Sequence, residues 1–273
     1  MTGGSVVGVG VGVGVAQFAP VADASANRHT IAELARRAVA RGASVVVFPE
    51  YSSYFTDPFD ATLADNAEDL DGPFVASLVA LAGELGVHLV AGLLERADDG
   101  ARVRNTVVAV DGSGVLATYR KQHLYDAFGQ RESDWVEPGR VQAPQTFDVG
   151  GLRFGLMTCY DLRFPEVART LADAGADVAL VPAEWVRGPL KEHAWATLLA
   201  ARAIENTMYV AAADHPPTLG VGHSALLDPL GVAIAQIGTA TDVAVGWVDP
   251  QVIADVRRVN PALQLRRYRV VPR

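Results

Sequence analysis

Cysteine is almost missing from this 273-residue chain: Cys159 is the only one. A single thiol makes no internal disulfide and is too few for a thiolate-ligated metal, a usage that fits the cytosol. Lysine is nearly absent too. Lys121 and Lys191 stand alone against a background of arginine, so a lysine at a marked position is worth noticing. Positive charge as a whole is outweighed. The net charge of −8 argues against a nucleic-acid partner and against adhesion to an anionic membrane surface. No apolar run reaches the about 20 residues that a transmembrane helix needs. No low-complexity tract, repeat or linker of distinct composition interrupts the chain, so residues 1–273 read as one domain.

The glycine-rich opening, "MTGGSVVGVGVGVGVAQFAP", lacks two further things. A dinucleotide fingerprint needs glycines at i, i+2 and i+5. After Gly8 and Gly10 that position is Val13, and after Gly10 and Gly12 it is Val15, so the pattern fails. A secretory leader needs a positive n-region and an apolar helix. Neither is present, although Ala24-Ser25-Ala26 loosely resembles a cleavage site. Alternating valines predict a buried first strand over 5–16 instead.

What is present is the mix of a globular protein, with 50% hydrophobic and 20% charged residues. Helical spacing of Ile31, Leu34, Ala35 and Ala38 predicts a helix over 28–42. "ASVVVFPE" reads as a buried strand. A helix over 73–86 and the strand "VHLVAGLLE" follow. "TVVAVD" and "VLATYRK" flank Gly112-Ser113-Gly114 as a hairpin, and 122–145 reads as a long polar and aromatic loop. "RFGLMTCY" is a strand, and Pro165 opens a helix ending near Gly175. "DVALVP" is a strand and 189–205 a helix. "MYVAAAD", "HSALLD", "GVAIAQI" and "VAVGWVD" are late strands, and a helix over 250–258 precedes a basic tail. Alternation early and strands late indicate a layered α/β fold, with one mixed sheet or two packed sheets.

Three of these strands end on reactive side chains: "VVVF" at Glu50, "VLATYR" at Lys121 and "RFGLMT" at Cys159. By alternation Lys121 shares a face with Val115, Ala117 and Tyr119. Ligands gather at the carboxyl ends of strands in open α/β sheets. A carboxylate there can take a thiol proton. An ammonium can lower the thiol pKa and stabilise an oxyanion. A helix beginning after Cys159 would add N–H groups beside the same oxygen. Each residue also has a plain reading: a buried apolar thiol, a helix-capping or ion-paired acid, a solvated strand end. Position and type alone leave both open.

In that order, "VVVFPE", "YRKQHLYDAFGQRES" and "CYDLRFPE" resemble the three signature segments of the nitrilase superfamily of carbon–nitrogen hydrolases. "GVAQFAP" and "GPLKEHAWATLLAARAIENTMYVAAAD" extend the likeness over essentially the whole chain. The resemblance implies a four-layer αββα sandwich with two mixed β-sheets, no metal and no organic cofactor. It implies Glu50 as general base, Lys121 as oxyanion stabiliser, Cys159 as nucleophile and Glu132 as a second glutamate positioning substrate. The backbone N–H of Tyr160 is implied as a second oxyanion donor. The reaction would be hydrolysis of a small-molecule amide through a thioester. The resemblance also suggests a homodimer or higher homo-oligomer, with the tail 260–273 either frayed or crossing onto a partner.

Tyr160 and Asp161 after the cysteine, where nitrilases proper carry Trp-Glu, resemble the branch of omega-amidases and deaminated-glutathione amidases. Those act on short amides with a carboxylate at the other end. Arg163 reads either as an ion-pair partner of Asp161 and Glu166 or as the group that meets such a carboxylate. Tyr125, Phe128 and Trp185 are candidate pocket walls. Glu184, facing the pocket, would repel an acidic substrate if charged. An N-carbamoyl amino acid amidohydrolase and a catalytically silent binding member remain alternatives. A Cys–His dyad using His123, His193, His215 or His223 lacks a signature. A nucleophilic Cys159 is expected to be alkylated rapidly at neutral pH.

Overall fold

The structure is a computed structural model that describes residues 10–98 and 100–273. Twelve strands are described: β1 (Val11–Gln17), β2 (Val45–Val47), β3 (His88–Arg96), β4 (Val103–Asp111), β5 (Gly114–Arg120), β6 (Thr146–Val149), β7 (Leu152–Leu156), β8 (Val178–Pro182), β9 (Tyr209–Ala213), β10 (Ala225–Leu227), β11 (Ala233–Gln236) and β12 (Asp242–Val248). The helices are α1 (Ala24–Ala40), α2 (Thr62–Asp65), α3 (Pro73–Leu85), α4 (Pro165–Asp173), α5 (Lys191–Asn206) and α6 (Pro250–Val259), with short 3₁₀ turns at Glu132–Asp134 and Cys159–Arg163.

The strands form two six-stranded sheets, ordered β12-β1-β2-β3-β4-β5 and β11-β10-β9-β8-β7-β6. Each has a parallel trio at its centre, β1-β2-β3 in one and β7-β8-β9 in the other, with antiparallel strands outside. Val45 and Val47 of β2 and Val178 and Leu180 of β8 meet between the sheets. The residues between them point the other way. Val46 packs under α1 and α3, and Ala179 and Val181 pack under α4 and α5. Both faces of the central strands are therefore covered, which is why they read as unbroken hydrophobic runs. The layers are helix, sheet, sheet and helix, the expected αββα sandwich.

Local chemistry sets the elements. Asp23 caps α1 by accepting from Ser25 and Ala26 N–H at 2.9 and 3.0 Å, so the helix begins four residues before the predicted 28 and absorbs Ala24-Ser25-Ala26. The glycines that alternate along β1 face this helix layer. A Cβ on Gly12 would lie 2.1 Å from the Gly42 carbonyl oxygen at the end of α1, so close backbone approach, not a phosphate, explains the repeat. Residues 5–9 of the predicted first strand lie outside the described residues.

One expectation changes, and one element is added. The strand β6 follows the predicted loop 122–145; its short "TFDV" pairs only with β7 at the sheet edge. The β4–β5 register slips between Ala109 and Val110. Ala117 and Tyr119 stay in the inter-sheet core with Lys121 buried beyond them, but Val115 turns out and is 43% exposed. One extra residue in a strand reverses the faces beyond it. The tail after α6 has no helix or strand; Arg266 pairs with Asp173 of α4, and Tyr268 is exposed.

Candidate active site

Both sheets contribute to one place. Glu50 lies three residues past β2 and Cys159 three residues past β7, while Lys121 directly follows β5. The chain beyond β2 is laid across β3: Gly92 N–H donates to the Pro49 carbonyl and Ser53 N–H to the Gly92 carbonyl, at 3.1 Å each. A Cβ on Gly92 would stand 2.4 Å from Tyr51 N, so a glycine is needed there. Lys121 is held across the hairpin, its N–H donating to the Asn105 carbonyl at 2.9 Å. Cys159 sits at φ 44°. The turn it opens is anchored by Thr158, which donates its N–H to Asp161 Oδ2 (3.1 Å) and its hydroxyl to the Pro182 carbonyl (2.7 Å).

The Lys121 ammonium lies between two carboxylates. Nζ is 2.9 Å from Glu50 Oε1 and 2.8 Å from Glu132 Oε2. Asn105 Nδ2 donates to Glu50 Oε1 (2.6 Å) and Glu132 Oε1 (3.1 Å). Glu132 also accepts from Tyr51 OH and Tyr125 N–H, both at 2.6 Å. Glu50 Oε2 accepts from Glu184 N–H at 2.7 Å, and the Glu184 carbonyl accepts from Cys159 Sγ at 3.3 Å. Main-chain atoms of Glu184 thus connect the Glu50 carboxylate to the thiol. Glu50, Lys121, Glu132, Tyr125, Cys159 and Glu184 line a cavity of about 520 Å³.

Burial drives the protonation states. For Glu50, desolvation outweighs the attraction of Lys121, and Glu132 adds repulsion, so its pKa is raised. For Glu132, desolvation is overcome by Lys121 and by hydrogen bonds from Lys121, Tyr51 and Tyr125, so its pKa is lowered. Two carboxylates sharing one cation are pushed apart, the pattern that separates acid–base work from fixed charge. Desolvation alone would discharge Lys121, yet Glu132 and Glu50 hold it charged. The expected lowering of the thiol pKa does not occur. Burial and then the Glu50 charge push Cys159 well up, and Lys121 offsets only part of this. Glu184 faces the cavity, where burial, Glu50 and Asp214 push its carboxyl well above the usual range. This shift favours its uncharged form and so weakens the repulsion expected of it.

A second, narrow pocket of about 10 Å³ adjoins the cavity at Cys159, Tyr125 and Glu184, and Tyr160, Arg163, Trp185 and Lys191 line its far side. Arg163 makes no ion pair with Asp161 or Glu166, which corrects the ion-pair reading. Asp161 instead accepts from Tyr119 OH at 2.7 Å and pairs with His123 Nδ1 at 2.8 Å. The Arg163 guanidinium stacks 5.0 Å from the Trp185 ring and 5.4 Å from Phe128, and its Nε is buried without a hydrogen-bond partner. Phe128 lines neither space; 69% exposed, it covers the two cations from outside. Tyr160 packs edge-on against Tyr125 with ring centroids 5.1 Å apart. Its N–H belongs to the first turn after Cys159, where helical N–H groups have no partner of their own.

The histidines are engaged elsewhere. His215 is buried, its Nε2 bonds the Glu50 carbonyl oxygen at 2.8 Å, and burial lowers its pKa to about 4. His123 stacks on Phe164 with centroids 3.7 Å apart. Sequence reasoning missed Asn105, Tyr51 and Lys191. Asn105, a lone amide in "VRNTVVAVD", was the readable signal, since a polar residue inside a buried strand needs a partner.

The comparisons with known proteins agree with this geometry. The carbon–nitrogen hydrolase family model matches residues 12–258. The chain is 38% identical over 257 residues to a deaminated glutathione amidase of Escherichia coli O157:H7, covering 94% of this chain and 97% of that one. It is 34% identical over 274 residues to the deaminated glutathione amidase of Homo sapiens, covering 93% and 82%. Among solved structures, the C. elegans NitFhit protein superposes with a TM-score of 0.86 at 28% identity, over 96% of this chain and 66% of that one. A CN-hydrolase superfamily protein of Xanthomonas campestris gives 0.85 at 28% identity, over 96% and 99%. Among the described residues no helix is long and apolar enough to cross a membrane. With the fold, the cavity and the family model in agreement, the chain belongs to the carbon–nitrogen hydrolase family and is an amidase-type enzyme of the nitrilase superfamily.

Proposed function

We propose that this amidase works through a thioester on Cys159 and acts on a small amide that carries a carboxylate. The observation that carries the reading is the Lys121 ammonium, fixed between Glu50 and Glu132 at the wall of the cavity that Cys159 also lines. Glu50 takes the thiol proton as the sulfur attacks the amide carbon. The carbonyl oxygen gains charge and is met by Lys121 and by the Tyr160 N–H. Collapse of the tetrahedral species breaks the C–N bond, and Glu50 returns its proton to the leaving ammonia or amine. Water then attacks the thioester, Glu50 takes its proton, and the thiol leaves reprotonated as the acid departs. Glu132 stays ionised and keeps Lys121 charged and in place.

The unpartnered Arg163 Nε beside Cys159 supports an anionic group on the substrate, as does the raised pKa of Glu184. The relatives' name points to a glutathione-derived amide. Hydroxylamine added to a turnover mixture should divert the thioester to a hydroxamate. Cys159→Ala should form neither acid nor hydroxamate. Acid release by Cys159→Ala at a rate near that of the parent protein would sink the reading.

A further inference from the structure

Lys191 takes no part in that mechanism, and among the described residues no carboxylate pairs with its ammonium. It is the first residue of α5 and 7% exposed. A cation at a helix N-terminus is opposed by the helix dipole, and burying an ammonium without an anion is costly. Its Nζ donates to the Tyr125 hydroxyl at 2.5 Å and lies over three rings, 4.2 Å from the centroid of Phe128, 4.7 Å from Tyr125 and 5.8 Å from Trp185. Those rings hold a cation in place, since cation–π attraction grows where water is excluded. They do not neutralise it. Arg163 stacks on two of the same rings and repels it. The acids that act on it, the Cys159 thiol and the Glu184 carboxyl, are both shifted by burial towards their protonated forms. Two cations on a shared aromatic wall thus line one pocket with the thiol, and neither makes an ion pair among the described residues.

We propose that Lys191 is a specificity-determining residue: its ammonium binds the carboxylate at the far end of the acyl group, while the scissile carbonyl lies at Cys159. This rests on the amidase reading above. The pocket is narrow, so the carboxylate enters at its junction with the main cavity and replaces the Tyr125 hydroxyl as the acceptor of Lys191. The amine side of the substrate is left in the wide cavity, beyond Lys121. A carboxylate-tipped chain therefore binds in one direction only. An amide of the same length without the charge gains nothing from this wall.

The test compares glutaric acid monoamide with pentanamide, which matches it in chain length and lacks the carboxylate. The parent protein should prefer the charged amide. Lys191→Met keeps the stem on the rings and should lower the ratio of the two kcat/KM values by about 10–100-fold, the range of a lost hydrogen bond to a charged group, with the change mainly in KM. Lys191→Arg should retain most of the preference. Glutarate, as a competitive inhibitor of pentanamide hydrolysis, should weaken in Lys191→Met by a similar factor. Equal losses on both amides would mean that Lys191 only supports the fold of the wall, and the proposal would be overturned. A parent protein that hydrolyses both amides without preference would overturn it too and leave the amidase reading intact. Hydrolysis of neither amide would remove both.

Discussion

Cys159 carries its chemistry in a backbone conformation that a non-glycine residue adopts at a cost of about 1–2 kcal/mol, with φ at 44°. The thiol there is protonated at rest, because burial and the Glu50 charge both raise its pKa. Alkylation by iodoacetamide should then be slow at pH 7 and climb steadily with pH. A rate flat between pH 6 and 8 would mean a preformed thiolate. This revises the rapid labelling that the sequence suggested, since strand position does not reveal how far burial outweighs a nearby lysine. The acid limb of kcat/KM reports the base. As the base of the proposed mechanism, Glu50 must be ionised to act, and its pKa is raised, so activity should fail on acidification at a pH above the ordinary glutamate value of 4.5. Glu132→Gln removes a repelling charge and leaves Lys121 to Glu50 alone. Both changes lower the Glu50 pKa, so the acid limb of the remaining activity should move to lower pH. A limb that stays in place would separate Glu132 from the base. Glu50, Lys121 and Cys159 were legible because each closes a hydrophobic run. Tyr51 and Lys191 were not, because no periodicity tells which loop residues fold back onto a cavity.

At the scale of elements, the site depends on strand ends arriving at fixed heights. β2 is only Val45–Val47, and Glu50 is placed by the segment pressed onto β3 at Gly92. Gly92→Ala would drive a methyl into Tyr51 N and the Glu50 backbone. The expected loss is about 1–3 kcal/mol of stability, as for an overpacked core, with a larger loss of turnover as Glu50 shifts from Lys121. Urea unfolding and a rate assay on one preparation check both. Full stability with full turnover would mean that the strand end is more tolerant than its spacing suggests. The central strands and the amphipathic helices were readable from valine runs and from Ile31, Leu34, Ala35 and Ala38, whose burial the structure bears out. The edge strand β6 and the slip in β4–β5 were not readable. An edge strand buries one face at most, and a single-residue slip leaves no compositional mark.

For the molecule as a whole, His215 couples stability to pH. Its folded pKa is about 4 against an ordinary imidazole value of 6.5, so the unfolded chain binds more protons between those values. Stability is therefore fully present above pH 6.5 and is lost as pH falls towards 4, by about 3 kcal/mol at about 1.4 kcal/mol per unit. His215→Gln should flatten that part of the profile in urea titrations at pH 7 and 4.5. An unchanged slope would assign the acid sensitivity to other groups. The two-sheet architecture was open in the residues, which allowed one mixed sheet or two. Only the family resemblance narrowed it, because pairing across sheet centres lies in long-range contacts that local patterns do not encode.

The pairing of β1 with β12 has a consequence in time. Val11 lies opposite Val248, so the first sheet lacks its edge strand until residue 248 has been synthesised. By then a nascent polypeptide has long carried Glu50 and Lys121, and Cys159 has followed. In the proposed mechanism the three act together, which requires both sheets to have closed on their shared core. Contacts spanning so much sequence form slowly. The newborn chain should therefore remain chemically silent until β12 has left the ribosome, and each molecule should acquire its reactivity in one step with its fold.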